Sequence, residues 1–476
     1  MDLVSIMFNL LILLTSGVGL VIPALDYIVL NKRPAGEKLV FGCLAAGLIL
    51  NLMIAAKITD KSVLHQGTII IDRYGSFVSI IVWLGALIVA IASHNQAKDW
   101  PTAPTYYSLI LIALVGVEIL IYCKDLILMM VAWALVSVAS YVMVGLKKDE
   151  PSVEGAVKYT LMGIAASSIM LYGLAVIYGV TSSTTPGVAT LNPHLLLIGV
   201  ALIVAAYSFK MGVVPFHGWL PDVYGGVYPL IVSYIAGVVK IAAIMALLRI
   251  AYPYSGDLDG RWTLYLSILS VATMTFGNIT ALVQKNVQRM MAYSSIAQAG
   301  YIMAAFSIAK GQPYWQIAIA GVALHIATYV LAKTGIFIWL SYLASKGIGL
   351  NLEDVAGAGL RKMPTISLAA TINMLSLMGM PPLIGFWSKF IYIFLSILRT
   401  NPALALIAFA NSAISVGYYA QVIKQLYFPA RENPSIPYEK LPAPETVAVI
   451  ITALATIILG LGTATIIAKM ITPVAP

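Results

Sequence analysis

Charged residues are scarce in this sequence: Asp, Glu, Lys and Arg make up 10% of its 476 residues, against about 25% in a typical soluble protein. Cysteine is scarcer still, with Cys43 and Cys123 far apart, and the five histidines are scattered. No spacing among them is typical of a zinc, haem or iron–sulfur site, and no glycine-rich phosphate loop follows a strand-like run. We therefore expect this chain to bind no cofactor of its own.

Apolar residues dominate instead, at 60% of the sequence with a mean hydropathy of +0.93. Apolar runs of membrane-spanning length predict an all-α polytopic membrane protein with about 14 transmembrane helices. The first run follows Met1-Asp2 without a basic segment, which favours a retained helix over a signal peptide. The net charge of +9 comes without a basic stripe interleaved with aromatics, so nucleic acid is not an expected partner.

Basic residues in the predicted loops indicate the orientation of the chain. Fifteen fall on one side of the predicted bundle and nine on the other. Because cytoplasmic loops carry an excess of Lys and Arg, the richer side is predicted to be cytoplasmic. Both termini then face the outer side of the membrane.

Two sequence patterns repeat at similar offsets. Met211-Gly212-x-x-Pro215-x-x-Gly218 recurs 167 residues later, beginning at Met378, and a pattern beginning at Met130 recurs 160 residues later at Met290. An odd number of predicted helices separates each pair, so the copies point in opposite directions, which is typical of inverted repeats in secondary transporters. The predicted organisation is an N-terminal three-helix segment (1–100), two inverted five-helix repeats (101–255 and 256–430), and a C-terminal loop and helix (431–476).

Helix-breaking residues interrupt three of the predicted helices. Gly212 and Pro215 are expected to break helix 7, and Pro381 with Pro382 to break helix 12, because an interior proline removes a helix hydrogen bond and clashes with the preceding turn. Helix 11, predicted at 315–345, is expected to break near Lys333–Gly335. In lipid, backbone groups freed in this way are tolerated only where protein or a watery cavity satisfies them.

Ionisable residues inside apolar runs form a small set, and such residues usually mark ion or proton paths. The set consists of Glu118, Lys210, His217, Lys240, His325, Lys333 and Lys389. The alternatives are lysines that snorkel to the interface, a neutral hydrogen-bonded Glu118, and structural histidines. His325, Tyr329 and Lys333 step by four residues, so they share a helix face and form a candidate proton wire.

The stretch Phe209-Lys210…Pro215-Phe216-His217-x-Trp219-Leu220-Pro221-Asp222 resembles the helix-7 signature of the antiporter-like subunits of respiratory complex I. The same superfamily includes Mrp-type cation/proton antiporters and energy-converting membrane-bound hydrogenases. Ser233…Lys240…Arg249, 289–301, His325…Lys333 and 379–389 also match, and the resemblance covers about residues 100–430.

This resemblance implies a subunit that moves H⁺ or Na⁺ in a multisubunit, redox-driven complex of an energy-transducing inner membrane. The implied partners are other antiporter-like and small membrane subunits, a peripheral redox module that carries the oxidoreductase chemistry, and membrane lipid. The alternatives are a subunit of an Mrp-type antiporter without redox chemistry and a vestigial structural subunit. The resemblance assigns Lys210 the helix-7 pump role, Lys240 with His325 or Lys333 the central relay, and Lys389 the exit half-channel.

One departure from the family pattern concerns helix 5. The family has a glutamate there that pairs with the helix-7 lysine, whereas here Trp133 is followed by Ala134. Glu118, on the preceding helix, is predicted to replace it as the partner of Lys210.

Overall fold

The computed structural model describes residues 3–25, 34–190, 192–439 and 443–471. In this part of the chain, 12 helices are long and apolar enough to cross a membrane, which confirms the predicted all-α polytopic class. The predictions for both chain ends lie outside these ranges. So do three of the fifteen basic residues placed on the cytoplasmic side, which are Lys32, Arg33 and Lys440.

The first half of the bundle contains α1 to α9, whose bounds are Leu3–Leu25, Pro34–Lys57, Arg73–Ala97, Ala103–Tyr122, Leu126–Val144, Glu150–Thr181, Pro193–Met211, Leu220–Gly226 and Pro229–Tyr254. The second half contains α10 to α17, whose bounds are Asp259–Leu282, Val287–Phe306, Trp315–Ser345, Pro364–Met378, 384–400, Pro402–Tyr427, Pro444–Ile458 and Ala464–Ile471. A π-helical turn at Ala358–Lys362 precedes α13. Strands β1 (Lys61–Leu64) and β2 (Ile69–Asp72) form an antiparallel hairpin that the sequence analysis did not predict.

Short polar residues begin many of these helices. Asp125 accepts hydrogen bonds from the first turn of α5, Asp149 from that of α6, and Asn286 from that of α11. Such caps satisfy N–H groups that have no partner inside the helix. Each cap fixes the residue at which its helix begins.

The two ends of the bundle are recognisable from contacts between loops. At one end, which we call the Lys147 face, the Thr102 hydroxyl donates to the Leu146 carbonyl and the Lys147 ammonium lies over the Tyr228 ring. At the other end, the Lys124 face, the Lys124 N–H donates to a carbonyl of the β1–β2 hairpin. The centre belongs to α9 and α12, whose apolar stretches are 100% and 83% buried.

Two of the three predicted helix breaks, those of helices 7 and 12, are present, and they have the same local geometry. α7 ends at Met211, followed by Gly212 at φ 73°, and the Val213 N–H donates to the carbonyl five residues back at 2.8 Å. α13 ends at Met378, followed by Gly379 at φ 92°, with the same bond from Met380 at 3.0 Å. Glycine adopts this left-handed conformation without the Cβ penalty, which makes it the usual residue after a helix end.

The predicted break near Lys333–Gly335 is wrong, because α12 is a continuous helix from Trp315 to Ser345. Gly335 has another role there. A Cβ on this residue would overlap the Asn373 amide of α13 and the Thr452 hydroxyl of α16. The glycine allows three helices to approach closely beside Lys333.

Candidate functional site

Lys210 lies in the last turn of α7, and only 1% of it is exposed. Its ammonium donates to the Ser137 hydroxyl of α5 at 3.0 Å. The rings of Trp133, Tyr141 and Tyr159 surround it, with centroids 5.2, 5.5 and 5.7 Å away. Aromatic faces attract cations, so neutral groups hold this charge. Among the described residues, no carboxylate forms an ion pair with Lys210.

Glu118 is fully buried in α4 and faces α3. Its carboxylate accepts hydrogen bonds from the Ser79 hydroxyl at 2.8 Å and from the Trp83 indole at 3.0 Å. The predicted partnership with Lys210 is therefore not a direct contact in this structure. A functional partnership between the two residues stays a prediction.

Lys240 and Lys333 come from the two central helices and end on the same turn of α11. The Lys240 ammonium donates to the Ser295 carbonyl at 2.7 Å. The Lys333 ammonium donates to the Met291 carbonyl at 2.8 Å and to the Ser294 hydroxyl at 2.9 Å. A π-helical turn, Ile235–Val239, directly precedes Lys240 in α9, and such turns are frequent at functional sites.

Lys389 follows the second break and reaches back across it. Its ammonium lies 3.3 Å from the Met378 carbonyl and 3.5 Å from the Leu377 carbonyl, at the end of α13. The Tyr301 ring lies beneath it, with the centroid 4.4 Å away. The last carbonyls of a helix have no partner within the helix and carry partial negative charge. The Lys389 ammonium supplies both a hydrogen-bond donor and a positive charge at this helix end.

A polar network connects Lys333 with Lys389. The Ser294 hydroxyl, which accepts from Lys333, shares a hydrogen bond with the Tyr419 hydroxyl. The adjacent Tyr418 donates to the Asn278 carbonyl oxygen at 3.3 Å, and the Asn278 amide donates to the hydroxyl of Tyr301, the ring below Lys389, at 3.0 Å. Side chains of α10, α11 and α15 thus bridge the two lysines.

The histidines occupy two different environments. His325 is buried, and its Nδ1 lies 3.2 Å from the Ser388 hydroxyl, next to Lys389 in sequence. The Tyr329 ring lies under the Lys240 ammonium at 4.9 Å. The predicted wire of His325, Tyr329 and Lys333 therefore spreads over different partners and stays a prediction. His217 lies in the first break and packs on the Phe276 ring at 4.4 Å.

Two buried carboxylates were missed by the sequence analysis. Asp72 forms a bidentate ion pair with Arg249 at 2.6 and 2.9 Å, and Glu445 is 3% exposed in the first turn of α16. Arg249 is one of the nine basic residues that the sequence analysis places in loops of the outer side, whereas the structure buries it. Each acid lies at the start of a helix, where Asp and Glu are common as exposed caps, so position alone does not reveal burial.

Among the described residues, no group of three or more His, Cys, Asp or Glu side chains is arranged to hold a metal ion. The chemistry that this arrangement supports is proton transfer, since lysines, tyrosines and a histidine line its interior.

Residues 123–415 match the family described as "NADH:quinone oxidoreductase/Mrp antiporter, TM". The chain belongs to this family. Within the family, F(420)H(2) dehydrogenase subunit N of Methanosarcina mazei is 32% identical over 473 residues, which cover 95% of this chain and 94% of that protein. NADH-quinone oxidoreductase subunit N of Desulfitobacterium hafniense is 33% identical over an alignment that covers 78% of this chain and 79% of that protein.

Several solved structures have the same architecture. A chain of respiratory complex I from Thermus thermophilus superimposes with a TM-score of 0.81 at 28% identity, covering 97% of this chain and 98% of that chain. A chain of the archaeal membrane-bound sulfane sulfur reductase gives 0.89 at 23% identity, covering 98% and 97%. A chain of the Mrp complex from Dietzia gives 0.85 at 19% identity, covering 100% and 97%. The last two likenesses concern the fold alone.

Proposed function

We propose that this chain is an antiporter-like, ion-translocating subunit of a multisubunit redox-driven membrane complex. The observation that carries the proposal is the set of four buried lysines, Lys210, Lys240, Lys333 and Lys389, each at most 1% exposed. Burying a charge inside a membrane protein is costly. Each of these four ammoniums is held by neutral partners of at least two kinds among hydroxyls, carbonyls and aromatic rings. Neutral partners stabilise the charge without fixing it permanently.

Protons suit this arrangement better than Na⁺. An ammonium is a donor without an acceptor, so a protonated lysine cannot ligate a metal cation, whereas it can release and regain a proton. The tyrosine and amide network between Lys333 and Lys389 supports transfer between these two positions. In this scheme Lys210 has the pump role in the first half of the chain and Lys389 is the release position, with Lys240, Lys333 and His325 between them.

The Lys147 face is the cytoplasmic side in this proposal and both termini lie on the outer side of the inner membrane, as the distribution of basic loop residues favours. The electron donor and acceptor react on a peripheral module, and this chain binds no redox cofactor itself. The names of the relatives, F(420)H(2) dehydrogenase and NADH-quinone oxidoreductase, support a redox complex over a pure antiporter.

The test is redox-driven ion pumping by the whole complex in vesicles, with lysines replaced one at a time by Met, which has a similar length and no charge. We expect K210M, K240M, K333M and K389M to reduce the ions moved per electron. K424M, at an exposed position near the end of α15, is the matched control and pumps normally. E118Q in the same assay tests the partnership of Glu118 with Lys210.

Normal pumping in all four variants, with the complex fully assembled, would show a vestigial structural subunit and overturn the proposal. Purification of the complex without any redox subunit, together with Na⁺-driven proton movement, would instead identify an Mrp-type antiporter.

A further inference from the structure

Glu445 is the buried carboxylate for which the proposed function has no role. It lies in the first turn of α16 near the Lys147 face, and 3% of it is exposed. Its carboxylate accepts a hydrogen bond from the Gln96 amide of α3 at 3.1 Å. Among the described residues, it forms no ion pair.

Gln96 connects Glu445 with the surface and with the central helix. The Gln96 carbonyl oxygen accepts hydrogen bonds from the Tyr228 hydroxyl, at 3.0 Å, and from the Ser341 hydroxyl of α12. Gln96 and Tyr228 are half-buried, and the Lys147 ammonium lies 3.9 Å from the centroid of the Tyr228 ring. Gln96, which donates to Glu445, therefore lies between this carboxylate and the surface of the bundle at the Lys147 face.

Polar side chains continue inward from Glu445 along the buried face of α16. Thr452 lies seven residues further, about 10 Å along the helix. Its hydroxyl accepts from the Asn373 amide of α13 at 2.8 Å. Both groups pack directly against Gly335 of α12, two residues beyond Lys333. A polar column thus runs from the surface to the contact of α12, α13 and α16 at Gly335, at the depth of Lys333.

Several buried polar atoms along this column have no hydrogen-bond partner within the described residues. They include the Asn373 carbonyl oxygen, the Thr334 hydroxyl, which faces Gly237 of α9, and the Trp339 indole N–H of α12. Buried polar groups are almost always hydrogen-bonded to protein or to ordered water. Thr334 and Trp339 lie between Lys333 and Ser341 along α12, and water bound at these atoms and at Asn373 completes the path in the proposal below.

We propose that Glu445 is the proton-uptake residue of this chain, receiving protons at the Lys147 face and passing them to Lys333. The path consists of Gln96, Ser341, Thr452, Asn373 and Thr334, with water in the gaps. Each step moves one proton: the Glu445 carboxylate takes it from water at the surface and returns it along the path to the neutral amine of Lys333. This inference rests on the proposed pumping function.

The experiment compares E445Q, E445D, K333M and E37Q in the whole complex in vesicles, measuring protons moved per electron with a pH-sensitive dye. Gln retains the hydrogen bond to Gln96 without carrying a proton, whereas Asp retains the proton. We expect E445Q to lose as much pumping as K333M and E445D to retain most of it. E37Q replaces a carboxylate of the same face that contacts His94 and Tyr107, and it pumps normally.

The outcomes separate the two proposals. If K333M loses pumping and E445Q does not, uptake through Glu445 is wrong while the pumping function stands. If K333M pumps normally, Lys333 is not on the pumping path and uptake through Glu445 to Lys333 is wrong, whereas the pumping function is wrong only if K210M, K240M and K389M pump normally as well. If E445Q and E445D fail equally, Glu445 is structural and the uptake role is wrong. N373L provides a second test in the middle of the path, and normal pumping by an assembled N373L complex contradicts it.

Discussion

The two helix breaks share one backbone geometry but treat the exposed end of the preceding helix differently. At the first break, the Trp219 indole donates to the Phe209 carbonyl at 2.8 Å. At the second break, the residue 167 positions after Trp219 is Phe386, whose side chain has no N–H to donate. There Lys389 approaches the final carbonyls of α13. A neutral donor at one break thus leaves Lys210 free to face α5, whereas at the other break the lysine itself caps the helix.

The lysines of the two halves also differ in how many groups hold them. Lys210 has one hydrogen-bond acceptor within the described residues, Ser137, and depends otherwise on aromatic rings. Lys333 has a carbonyl and a hydroxyl. We infer that the first site is the more sensitive of the two to loss of a single partner.

The largest expected effect is that of S137A compared with S294A. S137A removes the acceptor of the Lys210 ammonium, and hydrogen bonds to charged groups contribute about 1.5–3 kcal/mol. We therefore expect S137A to slow pumping by about tenfold or more. S294A leaves the Met291 carbonyl in place and slows pumping less. Pumping rates of the two assembled complexes, measured side by side, check this. Equal effects would show that the two sites do not differ in this way.

Much of this comparison was predictable from the sequence. Gly212, Pro215 and the Pro381-Pro382 pair fixed the breaks because few other residues interrupt a helix so strongly. The four lysines stood out because charges are rare in apolar runs. Their partners did not, since the Met291, Ser295 and Met378 main-chain carbonyls are independent of side-chain identity.

The wrong and missing predictions have physical reasons as well. Gly335 was interpreted as part of a break because glycine lowers helix propensity, yet it serves close packing between helices. Glu445 and Asp72 were overlooked because a carboxylate at a helix start usually lies in water. The side chain of Glu118 faces α3, where Ser79 and Trp83 donate to it. These donors are distant from Glu118 in the sequence, so the sequence did not indicate this orientation.

The next effect concerns stability at the first break. W219F removes the indole N–H that donates to the Phe209 carbonyl. Because the Gly212 N–H still donates to this carbonyl at 3.0 Å, the loss is that of one hydrogen bond, about 0.5–1.5 kcal/mol. The matched control is W387F at the second break, because the Trp387 indole N–H has no hydrogen-bond partner within the described residues. We expect the thermal unfolding midpoint in detergent to fall for W219F and to change less for W387F. A larger fall for W387F would contradict the capping role of Trp219.

The smallest expected effect tests whether burial alone governs the pKa of a lysine in this protein. Lys124 lies between α4 and α5 at the Lys124 face, where burial and then the nearby Arg249 and Lys310 cations lower its pKa to about 8. An unfolded lysine has a pKa of about 10.4. Between these values the unfolded chain binds more protons, so the stability contributed by this site rises with pH through the window. Below about pH 8 the charged form is a constant cost to the folded state.

K124M removes this cost. We therefore expect its unfolding midpoint to exceed that of the unchanged protein by a few degrees at pH 7, and the difference to disappear as the pH approaches 10. K57M, at an exposed lysine of the same face, is the matched control. A K124M midpoint at or below that of the unchanged protein at pH 7 would mean that Asp72, the carboxylate beside Lys124, outweighs burial there. The contrast with the carboxylate-free lysines inside the bundle would then become sharper, because a nearby acid would be enough to keep a buried lysine charged.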